Sequence, residues 1–287
     1  MASLKEIKGR IASVKTTLKT TSAMKLVASA KLRKAQGAVS MLLPYQQRLS
    51  HILSTVTAGS GSPLMPARAK VRKVAIVAFA SNSSLCGAFN SNAVRLALET
   101  VSKWKEKGAE VTVFSVGRKM YDSMRRAGYP SPGDYSHLAD KPSYQKAADL
   151  AASLSKSFGE GEFDRVELVY NHFVSTARQE PVCALLLPLG ADSLPQMRLD
   201  AEEGGVILEP SREELLSSLV PKVMNLKLFS TLLDSSAAEH AARTVAMQAA
   251  TDNGESLLEE LTLEYNKGRQ QKITNEILDL AGGSVAR

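Results

Sequence analysis

A long antiparallel coiled coil made from the two ends of the chain, with a small α/β domain inserted between them, is the fold class this sequence predicts. Three observations predict it. The N-terminal stretch carries apolar residues at alternating steps of three and four, the C-terminal stretch reads as one helix with no loop signal after Pro221, and the middle changes to strand-length apolar runs separated by amphipathic segments.

The N-terminal step reads Leu4, Ile7, Ile11, Val14, Leu18, Thr21, Lys25, Ala28, Leu32, Ala35, Val39, Leu42, with ten of the twelve positions apolar. A repeat of 3.5 residues keeps one stripe turned toward a partner helix, so this is a coiled-coil seam. It falters only at Thr21 and Lys25. Pro44 is expected to disturb the helix locally, but Leu49, Leu53 and Val56 keep the step, and the helix is expected to run to about Thr57. The Gly, Ser and Pro of "AGSGSPLMPARAK" then end it, which sets the first segment at residues 1–58.

The central segment, residues 70–200, alternates period. "VRKVAIVAFA" and "AEVTVFSVG" read as strands, and "SNAVRLALETVSKWKEKG", "RKMYDSMRRAG" and "SYQKAADLAASLSKSF" as helices. "FDRVELVYNHFVSTARQEPVCALLLPL" follows as two strands around a polar turn. Strands alternating with helices predict a Rossmann-like α/β domain of mostly parallel sheet, ended by an antiparallel hairpin. The last segment, residues 208–287, opens on Pro210 and Ser211, with Glu214 three residues on to complete a capping box. At about 1.5 Å per residue its helix would reach on the order of 100 Å, longer than a globular domain needs. The N-terminal helix, about 80 Å by the same rise and equally without another partner, is its expected mate, with the α/β domain mounted at one end of the pair.

Composition narrows the function classes. A chain of 287 residues with 44% hydrophobic residues can bury a core, and no apolar run approaches the roughly 20 residues that span a bilayer. Met1 leads straight into the charged, periodic helix, without a signal-peptide core or the break that a transit peptide would leave, so a cytosolic protein is expected. The net charge is +7, but residues 1–50 carry ten Lys or Arg against Glu6 alone, which puts +9 on that segment and −2 on the rest. Such a face meets either a polyanion or a strongly acidic protein surface. Cys86 and Cys183, in dissimilar apolar contexts, are expected as reduced, buried thiols and neither a bridge nor a metal site.

Catalytic chemistry is missing from the motifs. The chain contains no G-x-x-x-x-G-K-[ST], G-x-G-x-x-G or H-E-x-x-H word, and His51, His137, His172 and His240 are scattered. The loop "SNSSLCGAFN" sits where α/β enzymes often bind phosphate, but it has one glycine, Gly87, and no basic residue, and is read as tight strand-to-helix packing. No cofactor, metal or small-molecule substrate is expected, and an enzyme built on the central domain is the weakest reading.

Two stretches carry a resemblance. "IKGRIASVKTTLKTTSAMKLVASAKLRKAQ" near the start and "ARTVAMQAATDNGESLLEELTLEYNKGRQQKITNEILDLAGGS" near the end closely resemble the two ends of the gamma subunit of F-type ATP synthases, and "LCGAFN" and "LLPL" resemble words between them. The C-terminal word matches the family at Ile273, Thr274, Glu276, Asp279 and Gly283; it departs at Ser284, where alanine is usual, and in ending on Arg287. The central loop departs further, with Asn82, Ser83 and Ser84 where Asp-Arg-Gly is common.

The resemblance implies a non-catalytic central-stalk rotor. Its coiled coil would stand inside the hexamer of alpha and beta subunits, and its α/β domain would sit on the membrane c-ring with the epsilon subunit, peripheral to the inner face of a bacterial plasma membrane. Ion flow would turn the shaft and drive ATP synthesis or hydrolysis on the beta subunits. Met24, Lys25, Arg33, Arg269 and Gln270 are the implied beta-subunit contacts, with Arg269 and Gln270 on a catch loop that Met24 and its neighbours face from the N-terminal helix. The basic N-terminal helix would face acidic lever loops. Ile277, Leu280, Gly282 and Gly283 are the implied bearing tip, within the small, apolar "ILDLAGGSVA". The falter at Thr21 and Lys25 and the polar knot "NKGRQQK" are expected to form one region of the coil. A basic coiled-coil scaffold binding nucleic acid is the alternative; the absence of any aromatic residue in positions 1–43 to stack on bases speaks against it.

Overall fold

The structure is a computed structural model that describes residues 3–57, 70–189, 209 and 211–285. In chain order its elements are α1 (Leu4–Thr57), β1 (Lys73–Phe79), α2 (Phe89–Glu106), β2 (Glu110–Val116), α3 (Arg118–Arg126), α4 (Ser136–Asp140), α5 (Tyr144–Glu160), β3 (Arg165–Phe173), β4 (Gln179–Leu187) and α6 (Arg212–Val285). The expected helices and strands are present, and α4 is additional, being too short to show a period. The chain divides into two compact units, residues 1–28 with 244–287 and residues 29–243, so each long helix contributes to both.

Both long helices start on a serine cap. Ser3 Oγ accepts the Glu6 N–H at 3.2 Å and Ser211 Oγ the Glu214 N–H at 3.2 Å, which satisfies one of the orphan donors at each N-terminus. Neither Pro44 in α1 nor Pro221 in α6 ends its helix.

The first unit is a two-helix antiparallel coil. From Ser3 to Thr21 only positions 4, 7, 11, 14, 18 and 21 escape full exposure, which is the seam itself. On α6 the matching positions are 244, 247, 251, 254, 258, 261, 265 and 268, with 246 and 250 beside them. Contacts rise along one helix as they fall along the other: Lys25 meets Gln248, Thr21 meets Thr251, Leu18 lies over Gly254 and Leu4 over Gly268. Two seam positions on α6 are glycine, and an added Cβ would stand 2.7 Å from Leu18 Cδ2 and 3.1 Å from Leu4 Cδ2. The leucines fill the space a side chain would take.

The second unit is a four-stranded sheet of order β2-β1-β3-β4, parallel except for the antiparallel β3/β4 pair. Strand β1 is buried on both faces after Lys73, which is why it reads as an unbroken apolar run. Its Val74, Ile76 and Ala78 pack with Ala93, Ala97 and Val101 of α2 and Met120 and Met124 of α3. Ala75, Val77 and Phe79 pack on the other face with α5 (Ala147, Leu150, Leu154), with Leu49 and Leu53 of α1, and with Val220, Val223 and Met224 of α6. The sheet is thus covered on both sides, as parallel strands require. Asp164 fixes the start of β1, its Oδ2 accepting the N–H groups of Arg72 at 2.7 Å and Lys73 at 2.9 Å.

Cys86 is buried, as expected, but Cys183 is exposed, because β4 is the edge strand. Its thiol still leans on a buried acid: Glu167 accepts from Trp104 Nε1 at 2.9 Å, from Arg165 Nε at 2.6 Å and from Cys183 Sγ at 3.5 Å. Desolvation and the Glu167 carboxylate push the Cys183 thiol up to about 12. At pH 8 roughly one thiol in ten thousand is then ionised, so Cys183 should alkylate far more slowly than a peptide cysteine despite its exposure. Glu167→Gln removes the neighbouring anion, and iodoacetamide trapping read by mass spectrometry should show Cys183 labelling accelerate.

Gly117 gives a sharper stability test. It has φ +96, and a Cβ there would stand 2.0 Å from the Ala80 carbonyl oxygen, whereas Gly87, at φ +56, has open space around it. Gly117→Ala should cost about 3 kcal/mol or more, and Gly87→Ala about 1 kcal/mol, in urea unfolding of the chain.

Candidate functional site

The crevice at the C-terminal ends of the parallel strands is where an α/β fold would hold a ligand. The chain leaves β1 toward β2 on one side and later returns to β3 on the other, so the connections diverge there. Here the crevice is filled by α6. Ala238 and Ala242 pack against Cys86, Phe89 and Phe173. The loop "SNSSLCGAFN" is held inward as the packing reading expected. Ser81 is buried, its N–H and Oγ both donate to Asn90 Oδ1 at 3.0 Å, and Asn82 Oδ1 accepts the Arg118 N–H at 2.9 Å. At the loop tip Leu85 takes φ 66 with its side chain exposed.

Two polar groups of α6 flank the alanines. Asp234 accepts the Phe173 N–H at 2.9 Å and His172 Nδ1–H at 2.6 Å. Arg243 donates to Glu239 Oε1 at 2.6 Å, to Ser83 Oγ at 2.9 Å and to His240 Nδ1 at 3.4 Å. Because a guanidinium only donates, that contact fixes His240 Nδ1 as an acceptor. Burial raises the Glu239 carboxyl and Arg243 opposes the rise, while burial with the charges of Arg243 and Lys31 holds His240 down to about 4. Sequence reasoning missed both groups. The available signal was Glu239 and Arg243, an acid and a base four apart in the small-residue run "SSAAEHAARTVA".

On the coil, the two faltering seam positions both find partners on α6. Thr21 is buried and its hydroxyl lies 3.0 Å from that of buried Thr251, while half-buried Lys25 donates to Gln248 Oε1 at 2.6 Å and Gln248 Nε2 to Asp252 at 2.6 Å. Met24 is half-buried beside them and Arg33, in the second unit, is exposed. Leu26, Val27 and Val245 are also exposed, at 68%, 57% and 44%.

Arg269 and Gln270 stand elsewhere. Gly268 packs on Leu4, the first residue of α1, and every residue from 269 to 278 is exposed. The pair therefore begins the stretch where α6 has outrun its mate. Thr251 and Gly268 are separated by about 25 Å of helix, so the expectation that Thr21, Lys25 and "NKGRQQK" form one region is wrong. The antiparallel register sets "NKGRQQK" against the N-terminus of α1. Among the tip residues, Ile277 is 60% exposed. The helix backbone continues past Leu280, Gly282 and Gly283 to Val285, and the side chains there lie outside the described residues.

An open groove of about 770 Å³ between α2 and α3 has Val94 and Leu98 in its lining, with Arg95, Glu99, Lys103 and Lys119 around them. It gathers no histidine, cysteine or paired nucleophile and base. Among the described residues no group of three His, Cys, Asp or Glu is placed to hold a metal, and no helix is long and apolar enough to cross a membrane.

His240 supplies a pH test. Its folded value of about 4 lies below the ordinary 6.5, so the unfolded chain binds the extra proton between those values. The stability this neutral imidazole contributes is complete above pH 6.5 and is lost as pH falls toward 4. His240→Gln should reduce the drop in unfolding free energy between pH 7.5 and pH 5 by about 2 kcal/mol, measured by urea titration at the two pH values.

The family profile described as "ATP synthase" matches residues 3–286. The "ATP synthase gamma chain" of Phocaeicola vulgatus is 50% identical over 293 residues, covering all of both chains, and that of Bacteroides fragilis is 50% identical over 294 residues with the same coverage. Among solved structures, a chain of the Euglena gracilis mitochondrial ATP synthase overlays at TM-score 0.62 with 19% identity, covering 99% of this chain and 94% of that one. A chain of the Tetrahymena thermophila mitochondrial ATP synthase central stalk and c-ring overlays at 0.56 with 22% identity, covering 80% of this chain and 99% of that one. These two likenesses carry the fold, and the full-length identity carries the kinship: the chain belongs to the ATP synthase gamma chain family.

Proposed function

We propose that this chain is the central-stalk rotor subunit of an F-type ATP synthase, coupling ion flow through a membrane c-ring to ATP synthesis or hydrolysis on the beta subunits without catalysing either itself. The observation that carries the reading is the bare end of α6. Residues 269–278 are exposed on every side, and they include Ile273, Ile277 and Leu278 at 47%, 60% and 61%. A short helical stretch without a packing partner is marginal in water, and exposed isoleucine and leucine mark a surface that a partner would cover. A surrounding sleeve of alpha and beta subunits would cover it, with Ile277, Leu280, Gly282 and Gly283 as the bearing tip.

Arg269 and Gln270, at the point where the coil becomes a single helix, are proposed to engage a catch loop of one beta subunit. Met24, Lys25 and Arg33 are proposed as further beta-subunit contacts, with the basic residues of the N-terminal helix meeting the acidic lever loops. Exposed ion pairs are each worth about 1 kcal/mol or less, so they can be made and broken as the shaft turns. Residues 1–58 and 208–287 are proposed as the shaft and 70–200 as the domain that meets the epsilon subunit and the c-ring. Such a subunit would be peripheral to the membrane, on the inner face of a bacterial plasma membrane.

Reconstitution tests the reading. Mixed with alpha and beta subunits, the chain should elute with them at one copy per three beta subunits. The Arg269→Ala/Gln270→Ala double variant should lower ATP hydrolysis by up to about tenfold, the equivalent of two weak surface contacts. Failure to enter the hexamer, together with DNA binding that collapses as salt rises, would assign the basic helix to a polyanion instead.

A further inference from the structure

We propose that Asp234 and Arg243 are positioning residues that key α6 into the α/β elements of the second unit, so that the helix cannot turn about its own axis in the crevice that holds it. The inference rests on the rotor reading, which makes resistance to twisting a functional demand.

The contact that fills the crevice is poor at resisting rotation. Ala238 and Ala242 present methyl groups to Cys86, Phe89 and Phe173, and on the neighbouring face Ala237 and Ala241 pack with Leu32 and Ala35 of α1. Alanine faces let helices approach closely but leave short ridges, and dispersion between them has little directional preference. Larger side chains, Val223, Met224, Leu228 and Leu232, hold α6 nearer its start, so the alanine stretch is where directional contacts add most.

Directional contacts stand on both flanks of the alanine face. At about 100° per residue, Ala238 and Ala242 lie about 40° and 80° around α6 from Asp234, while Arg243 lies about 180° from it. Asp234 holds the end of β3 through the Phe173 N–H and His172 Nδ1–H. Arg243 holds the β1–α2 loop through Ser83 Oγ. The grips differ in height by about 14 Å and act on opposite sides of the helix, so rotation in either sense strains both.

Burial supports a positioning role. The side chains of Arg243 and Glu239 are 10% and 11% exposed, and that of Asp234 is 18% exposed. An ion pair so far from water often contributes no more stability than apolar residues of the same size, and its best-attested use is to fix one register. Arg243 is aimed by its own helix, through Glu239 and His240, toward a hydroxyl on another element. Lys31 of α1 also faces Glu239 and favours its charge alongside Arg243, whereas the like charge of Asp140 of α4 opposes it.

The test uses the assembled complex of this chain with alpha, beta and epsilon subunits and the c-ring. The hexamer is immobilised, a bead is fixed to the α/β elements, and the angular spread of the bead is recorded in a stalled nucleotide state. Asp234→Ala/Arg243→Met should broaden that spread by about twofold or more and lower protons pumped per ATP hydrolysed, whereas Asp234→Asn/Arg243→Lys should recover part of both. Ser83→Asp, which offers Arg243 a carboxylate, should narrow the spread, and it keeps the question open to measurement if the double variant does not fold. A lowered melting temperature with an unchanged spread, or no response to Ser83→Asp, would overturn the proposal. A wild-type chain that never enters the hexamer would instead overturn the rotor reading beneath it.

Discussion

The seam between α1 and α6 is the constraint on which the rest of this molecule depends. Helices of 54 and 74 residues present an apolar stripe along lengths that no compact domain could cover, and a single helix gains too little from its own hydrogen bonds to keep such a stripe in water. Each helix is therefore stable because the other is present. The α/β elements lie between Thr57 and Arg212 in the chain, and Leu49 and Leu53 share a core with Val220, Val223 and Met224. Antiparallel pairing is what allows the insertion, since it returns the chain to the place it left.

The same pairing explains what became of the ligand crevice. In a doubly wound sheet the diverging connections leave a cleft that enzymes use for phosphate or cofactor. Here the chain's own helix occupies it, with alanines where a ligand would lie and with Asp234 and Arg243 holding peptide and hydroxyl groups where a ligand would be held. The absence of a glycine-rich phosphate word and the presence of α6 in the cleft are two sides of one arrangement. A loop built to grip a fixed helix needs Ser81 and Asn90 to hold its shape and has no use for a ring of free backbone amides.

How much was legible follows from period and distance. The seam of α1, the strands and the larger helices show in the sequence because burial imposes a repeat of 3.5 or an unbroken apolar run over many residues. Exposure between Ser3 and Thr21 follows the seam position by position. Four things were illegible: α4, because five residues hold no period; the exposure of Cys183, because edge or centre is set by strand order; the Glu239–Arg243–Ser83 group, because it joins residues 160 apart in the chain; and the separation of Lys25 from Arg269. That last misreading is instructive. Two polar interruptions in two mated helices look like one site until the register is known, and Gly254 beneath Leu18 and Gly268 beneath Leu4 are what fix it.

The two interruptions turn out to solve different problems. At Thr21 and Lys25 the mate is present, and Thr251, buried in the seam, and Gln248, at its exposed edge, answer them. At Arg269, one residue past the Gly268–Leu4 contact, the side chain is exposed among the described residues. Polar atoms there stay solvated, whereas the isoleucines and leucine just beyond them expose apolar surface of the kind that marks an interaction site. A polar collar at the base of an apolar tail is thus the pattern expected where a self-sufficient coil becomes a helix dependent on its surroundings. The chain changes at Gly268 from packing against itself to awaiting a partner.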